Sequence, residues 1–505
     1  MSRTRRAATI ALFGSLLTLT IGCDPRAPSP TATPSPPSPA PPASASPSAP
    51  GSPSASPTES PAADRAWTYQ TADIRGLAFG NDGTAWLFTW SGDDPSEIVA
   101  LDRAGTVLAG WPQPIGDVST GIAWGPVVAG DGSVLVLVFA YGGSDLEIAY
   151  ELHRFEPDGT AADGWPKRFG AGEDCGAAGP DAGGRVIVAC ATAAGSRVTA
   201  FDASGGVAWE APLGLPGATD VRIDSGGTIY VGAPAGGGIA ALSTDGEPLA
   251  GWPVRIDQPY EFVVGAGGTV LAWWRDQPVE GICNEGGSTV FLLIAEDGGP
   301  LPGWPQVVQG PASAPALADD GRIYVTAADD RLLAFEADGS VADGWPIEIA
   351  GTTGTCFGPP DPVIGPDGTV FVATGGRPPD GALTAVSPDG DELPGWPFAP
   401  DGELAYPCLG CTPGPSDPAP PIFSGERIFV TTLPAGTDEI GDVDILSLGR
   451  DGDVRPGWPL RLAVDEAALH LAPDGRLFAV LLDVEDFART TLQFIPDPPP
   501  TGAAP

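Results

Sequence analysis

The residues best suited to chemistry are the cysteines, 7 in number. Cys23 stands apart at the end of an N-terminal apolar run. Cys175 and Cys190 flank one hairpin signal, Gly183-Gly184, at matching distances, and are expected to pair in an oxidising compartment. Cys283, Cys356, Cys408 and Cys411 leave three pairings open, and disulfides are expected there too. A redox motif at Cys408-Leu409-Gly410-Cys411 and a four-thiolate zinc site are the alternatives; the first has no helix after it to lower a thiol pKa. The histidines are His153 and His470, too few for a His-rich metal site and a poor basis for a Ser-His-Asp triad. The Asp-Gly pairs that punctuate the chain lack the alternating oxygens of a calcium loop. Glu280 and Glu285 form a carboxylate pair of the kind used in glycoside hydrolysis, but no Ser-x-Asp-x-Gly-x-Thr-Trp box accompanies them. No catalytic residue, metal ligand or cofactor is assigned.

Charge narrows the partners. The chain carries 24 Lys+Arg against 64 Asp+Glu, a net of −40. Such a surface repels phosphate backbones and anionic lipid, so nucleic acid is excluded as a partner. With 71 Gly and 59 Pro, the chain is turn-rich, yet its 42% hydrophobic residues are enough for a large core.

The first 64 residues read as an address. Arg3, Arg5 and Arg6 precede an apolar run over 7–22, too short to span a bilayer comfortably. This is the pattern of a secretory signal peptide. Leu19-Thr20-Ile21-Gly22-Cys23 resembles the bacterial lipobox, with Thr20 as its departure, which implies lipidation at Cys23. Asp24 resembles an inner-membrane retention signal. Residues 24–64 hold 14 Pro among Ser, Ala and Thr, without Leu, Ile, Val or any aromatic residue. They cannot bury enough surface to fold, and should form an extended tether of on the order of 100 Å. The expected organisation is a signal peptide over 1–22, a tether over 23–64, a folded body over 65–495 and a disordered tail over 496–505.

The body is one repeat. Gly-Trp-Pro recurs with its Trp at 111, 165, 252, 304, 345, 396 and 458; Trp209 fills the gap and Trp67 heads the series. The spacing, 41 to 62 residues, is blade-sized. Each period places an Asp-Gly or Gly-Gly turn between two short apolar strands, as at Asp320-Gly321 and Asp367-Gly368. A second such turn precedes the Trp strand, as at Asp338-Gly339 and Asp389-Gly390. Read as type I′ turns, these give four antiparallel strands per repeat. Nine first hairpins are counted, at Asp82, Asp131, Gly183, Gly226, Gly267, Asp320, Asp367, Ser424 and Asp474. The expected fold is all-β, a single β-propeller of eight or nine four-stranded blades, with the strand at Trp67 completing the last blade. One copy outside the ring stays open as an alternative. The Trp side chains are expected to pack between blades.

The pattern Leu-x-Ala followed by Asp/Ser-x-x-Gly and an outer-strand Trp, as in Leu383-Thr384-Ala385-Val386 with Asp389-Gly390, resembles the PQQ-like, quinoprotein-type propeller repeat. The resemblance covers roughly residues 65–495. It extends to the propeller lipoprotein scaffold of the outer-membrane β-barrel assembly machinery, which implies a lipid anchor joined to such a ring. Gly-Trp-Pro departs from the Thr-Gly and more distant Trp of many members, so the fold carries over and the partner does not. Quinoprotein dehydrogenases of this architecture usually hold adjacent cysteines at the cofactor, and this chain has no Cys-Cys.

In such a ring both Asp-Gly turns of a blade fall on one face. The remaining loops, and all six body cysteines, fall on the other. That loop face is the candidate binding surface, represented by Glu173, Asp174, Arg275, Asp276, Glu280, Glu285, Phe357, Asp401, Glu403 and Tyr406. The expected function is a non-catalytic binding or scaffold module, lipid-anchored on the extracytoplasmic side of the cell membrane. It would act as a monomer and meet an unknown protein or cell-envelope partner, cationic or metal-bridged. The alternatives are a quinoprotein dehydrogenase and a carbohydrate-active propeller.

Overall fold

The computed structural model describes residues 65–498, apart from 91–93, 117–119, 143–146, 171, 193–194, 277–286, 352–358, 376–380, 406–419, 435–441 and 483–488. Within the described residues the chain folds into nine antiparallel sheets. Their inner strands are Asp73–Phe79, Thr120–Val128, Asp174–Ala178, Asp220–Ile223, Glu261–Val264, Ala316–Leu317, Val363–Ile364, Glu403–Leu404 with Ile422–Ser424, and Glu466–Leu471, in blades one to nine. Three strands follow outward in each blade. In blades four and seven the outermost is reduced to bridges, Ile239 with Val254 and Leu383 with Phe398. All nine hairpins read from the sequence are therefore blades of the ring, and no copy lies outside it. No helix among the described residues is long and apolar enough to cross a membrane.

The ring is closed by packing. Nine hydrophobic clusters each draw on two neighbouring blades; one joins Leu87 and Val99 of blade one to Phe478 and Leu492 of blade nine. A middle strand is thus covered on both faces. This is why Ile229–Ala233 and Val370–Thr374 are buried at every position and read as unbroken apolar runs. Trp67–Thr71 pairs antiparallel with Thr490–Ile495, Trp67 opposite Phe494, so the last blade takes its outer strand from the N-terminal end of the body.

The hairpins differ from the type I′ expectation. Gly83, Gly132, Gly321, Gly368 and Gly475 have φ between 82° and 88°, whereas the Asp before each is not left-handed. The Gly83 amide closes on the Gly80 carbonyl at 2.9 Å, and the Gly80 amide on the Thr84 carbonyl at 2.8 Å. This is a type I turn ending in one left-handed glycine, the three-residue hairpin form. The Asp earns its place through its side chain: Asp82 accepts from the Thr84 amide at 3.0 Å, and Asp320 from the Arg322 amide at 3.0 Å.

Gly-Trp-Pro is an excursion within the outer strand, with a cis Trp-Pro bond at each copy. Its partner is the second Asp-Gly turn of the next blade. The Trp304 indole donates to the Ala337 carbonyl at 2.9 Å, Trp345 to Pro388 at 3.2 Å and Trp396 to Arg450 at 2.9 Å. Trp111, Trp165, Trp209 and Trp252 do the same toward Pro157, Ala203, Thr244 and Glu296. Trp67 closes the circle on Arg103 at 3.0 Å. The glycine beside the Trp explains itself here: a Cβ on Gly303 would lie 1.9 Å from the Asp338 carbonyl oxygen, and one on Gly251 1.8 Å from that of Asp297. Two backbones meet with no side chain between them. Six of these junctions are a clasp of indole, glycine and turn carbonyl; at Trp209 and Trp67 an alanine precedes the Trp, and the clasp is the indole and the carbonyl alone.

Candidate functional site

Strand direction fixes what each face of the ring presents. Every inner strand starts at the loop face and ends at its first turn, so the first residue of each inner strand lies at the loop-face mouth of the ring. In blades one, three, four, five, eight and nine that residue is Asp73, Asp174, Asp220, Glu261, Glu403 and Glu466. The sequence reading picked out Asp174 and Glu403 but missed the other four. Their signal was a carboxylate six to nine residues before the hairpin turn, at the head of a strand.

Two of these carboxylates carry an arginine two residues on. Arg75 meets Asp73 at 2.5 Å and lies over the Trp90 ring at 5.5 Å. Arg222 meets Asp220 at 3.0 Å and lies over the Phe262 ring at 5.8 Å. Burial pushes Asp73 and Asp220 above the usual carboxylate range, against the pull of these arginines. Partial burial and the nearby Asp220 charge push Glu261 up as well. Beneath them Tyr260 is locked by two hydrogen bonds, accepting from the Ala233 amide at 2.8 Å and donating to the Gly238 carbonyl at 2.6 Å.

Those residues singled out from sequence that are described fall on blades three, five and eight. Glu173 accepts from the Gly170 amide at 3.0 Å and pairs with Arg197 at 3.5 Å. Asp174 accepts from the Tyr150 hydroxyl at 2.7 Å. Arg275 ends the second strand of blade five; burial lowers its pKa, and its Nη1 has no hydrogen-bond partner among the described residues. Asp276 accepts from the Ser288 amide at 2.9 Å and hydroxyl at 2.8 Å, which holds its carboxyl below the usual range. Asp401 is exposed. Glu280, Glu285, Phe357 and Tyr406 lie outside the described residues, as do Cys23, Cys283, Cys356, Cys408 and Cys411.

Several residues expected in the loops of that face lie in strands. Asp174 and Cys175 open the inner strand of blade three, Trp274 and Arg275 close a strand of blade five, and Glu403–Leu404 is inner strand of blade eight. Glu403–Leu404 pairs with Leu433 and Thr432, and Ile422–Ser424 continues along the same partner from Phe429 to Arg427. The inner edge of blade eight is therefore built from two stretches of chain, Glu403–Leu404 and Ile422–Ser424.

Cys175 and Cys190 sit directly opposite each other on adjacent strands and form a disulfide. The Glu173 carboxylate is near both sulfurs, but these are bonded to one another and offer no thiolate to a metal. Burial drives the pKa of His470, on the inner strand of blade nine, down to about 4, so it is neutral at pH 7. His153 is lowered by burial too, beside Glu151 at 3.2 Å.

Residues 194–395 match the family described as outer membrane protein assembly factor BamB. No curated protein matches the chain. Among solved structures, BamB from Moraxella catarrhalis is similar at 16% identity and TM-score 0.39, covering 85% of this chain and 98% of its own. The quinohemoprotein alcohol dehydrogenase from Comamonas testosteroni is similar at 14% identity and TM-score 0.42, covering 88% of this chain and 78% of its own. A eukaryotic initiation factor gives 9% identity and TM-score 0.48, covering 83% and 95%. The sheets form a clasped ring, so the body of this chain is a β-propeller, and within it residues 194–395, in blades three to seven, are similar to the matched family.

Proposed function

We propose that the protein is a lipid-anchored, extracytoplasmic propeller that acts as a non-catalytic binding or scaffold module, with its loop face as the contact surface. The observation that carries this reading is the division of labour between the faces. On the turn face, Trp indoles and turn carbonyls are engaged in holding the ring together. On the loop face, carboxylates head six of the inner strands, and arginines paired with two of them lie over aromatic rings. A rigid ring that fixes polar loops at one end is the usual platform for meeting a partner. The surplus of acid favours a cationic protein segment, with affinity falling as salt rises. The family matched over residues 194–395 is an assembly factor by its description, which supports a protein partner in the cell envelope.

Replacing residues 406–419 by a short Gly-Ser linker spares Leu404 and Ala405, which are core residues. That variant should lose its partner in cross-linking pulldowns from native membranes while keeping its unfolding temperature. Arg450→Ala, at a turn of the opposite face, should recover the partner normally. Recovery by both variants removes the loop face as the contact surface. A quinone absorption band in protein from the native host, with alcohol turnover, replaces the scaffold reading by the dehydrogenase one. Cys23→Ser should release the protein from membranes; retention after a high-salt wash rejects the lipid anchor.

A further inference from the structure

The junction between blades eight and nine is built differently from the other eight. Elsewhere, the clasp closes on the turn that joins the third and outer strands of the next blade. Blade nine has no such turn, because its third strand is Thr490–Ile495 and its outer strand is Trp67–Thr71. The Gly457-Trp458-Pro459 copy in blade eight therefore faces a blade without an acceptor turn. Among the described residues, its indole is the one in the series without a carbonyl partner.

The chain beyond Ile495 fills the place. Pro498 sits against Gly457: a Cβ there would meet the Pro498 ring at 2.7 and 2.8 Å, where Gly251, Gly303 and Gly395 meet a turn carbonyl. Arg427 donates to the Asp497 carboxylate. Its guanidinium lies over the Phe429 ring at 5.3 Å, and that ring meets Trp458 edge-on at 5.8 Å. Other blades use an arginine in the same way. Arg322, after the first turn of blade six, donates to the Pro388 carbonyl of blade seven at 2.6 Å. Arg476 of blade nine donates to the Arg103 carbonyl of blade one at 3.2 Å. Glycine and arginine of blade eight thus converge on residues 497–498 as their counterparts converge on a turn.

We propose that residues 496–498 are a latch that replaces the missing turn and holds the junction of blades eight and nine closed on the turn face. When it is released, this junction opens first, while the eight clasped junctions stay shut. The device is assembled from one ion pair on the surface and one proline contact, so it is weaker than a clasp in which an indole bonds a turn carbonyl.

The test is hydrogen exchange on the full chain. In the double variant Asp497→Ala/Pro498→Gly, amides of Leu460–Leu462 and Glu466–Leu471 should exchange at least about tenfold faster, with blades three to six unchanged. Truncation after Ile495 should reproduce that pattern. Unchanged exchange in blades eight and nine overturns the latch, as does an acceleration spread evenly round the ring. If the truncated chain does not fold, the double variant alone decides. Arg427→Ala and Asp497→Ala should be non-additive in these exchange rates; additivity removes the ion pair from the latch.

Discussion

The two faces of the ring hold their polar groups in opposite ways. On the turn face, Asp158, Asp202 and Asp338 are held below the usual carboxylate range, chiefly by the hydroxyls of Thr160, Ser204 and Ser340. On the loop face, burial raises Asp73 and Asp220, and raises Glu261 with help from Asp220; Asp276 is the exception, held down by Ser288. One face satisfies its charges with local turn chemistry and spends its backbone on neighbouring blades. The other places carboxylates where solvation is incomplete. Architecture and contact surface are thereby separated, and a change on one face leaves the other intact.

The sharpest way to break this comparison uses two glycines of nearly equal backbone. Gly303 has φ 85° and a turn carbonyl 1.9 Å from the place a Cβ would take; Gly310, at the loop face, has φ 80° and open space. Gly303→Ala should cost on the order of 4 kcal/mol, against about 1 kcal/mol for Gly310→Ala. Urea midpoints at constant m-value measure both, and equal losses would show that the backbone approach at the clasp does not matter.

The loop face has a covalent counterpart to the clasps in Cys175–Cys190, which spans 15 residues. Replacing both cysteines by Ala should cost about 3 kcal/mol in the chain-entropy model. The same loss should appear when the unaltered protein is unfolded in reductant, and its absence there would assign the cost to packing instead.

A smaller effect separates clasped from unclasped junctions. Trp345→Phe removes an indole bond to Pro388, whereas Trp458→Phe removes none to a described residue. The first substitution should cost about 1 kcal/mol more than the second, and parity would deny the indole bond a role in closing the ring.

The smallest effect is on acid stability. Carboxylates with depressed pKa stabilise the fold above the usual carboxylate value, and that contribution is lost as pH falls through the folded-state value. Those with raised pKa oppose folding at neutral pH, and their penalty disappears as pH falls through the raised value. A carboxyl NMR titration should place Asp158, Asp202 and Asp338 below an unperturbed Asp, and Asp73 and Asp220 above it. The reverse order would erase the electrostatic contrast between the faces.

Much of the ring was legible in the sequence. Turn residues and strand periodicity mark nine hairpins, the unmatched Trp67 points to a closing strand, and the spacing of Cys175 and Cys190 about one turn points to their pairing. The clasp was not legible. Gly-Trp-Pro and Asp-Gly were readable one by one, but the carbonyls that Trp304 and Trp396 reach lie 33 and 54 residues away, and a carbonyl carries no side-chain mark. The acidic mouth was hidden for a related reason. Asp220 and Glu261 are single charges before short apolar strands, and only the stacking of blades brings such positions to one rim. Glu403 read as a loop residue because Leu404 and Ala405 after it are too few to signal a strand, although both are buried.

The strand at Trp67–Thr71 has a mechanical consequence. It enters the ring from the turn face, beside the clasp that Trp67 makes with Arg103, and its five pairs with Thr490–Ile495 lie just beyond. Tension on the chain ahead of Trp67 would reach that indole bond before any ladder pair. It would then open the ladder from its Trp67–Phe494 end one pair at a time, a zipper rather than a shear. Load on the chain ahead of Trp67 is thus borne by the seam of one blade, and the eight blades behind it feel none until that strand has peeled away.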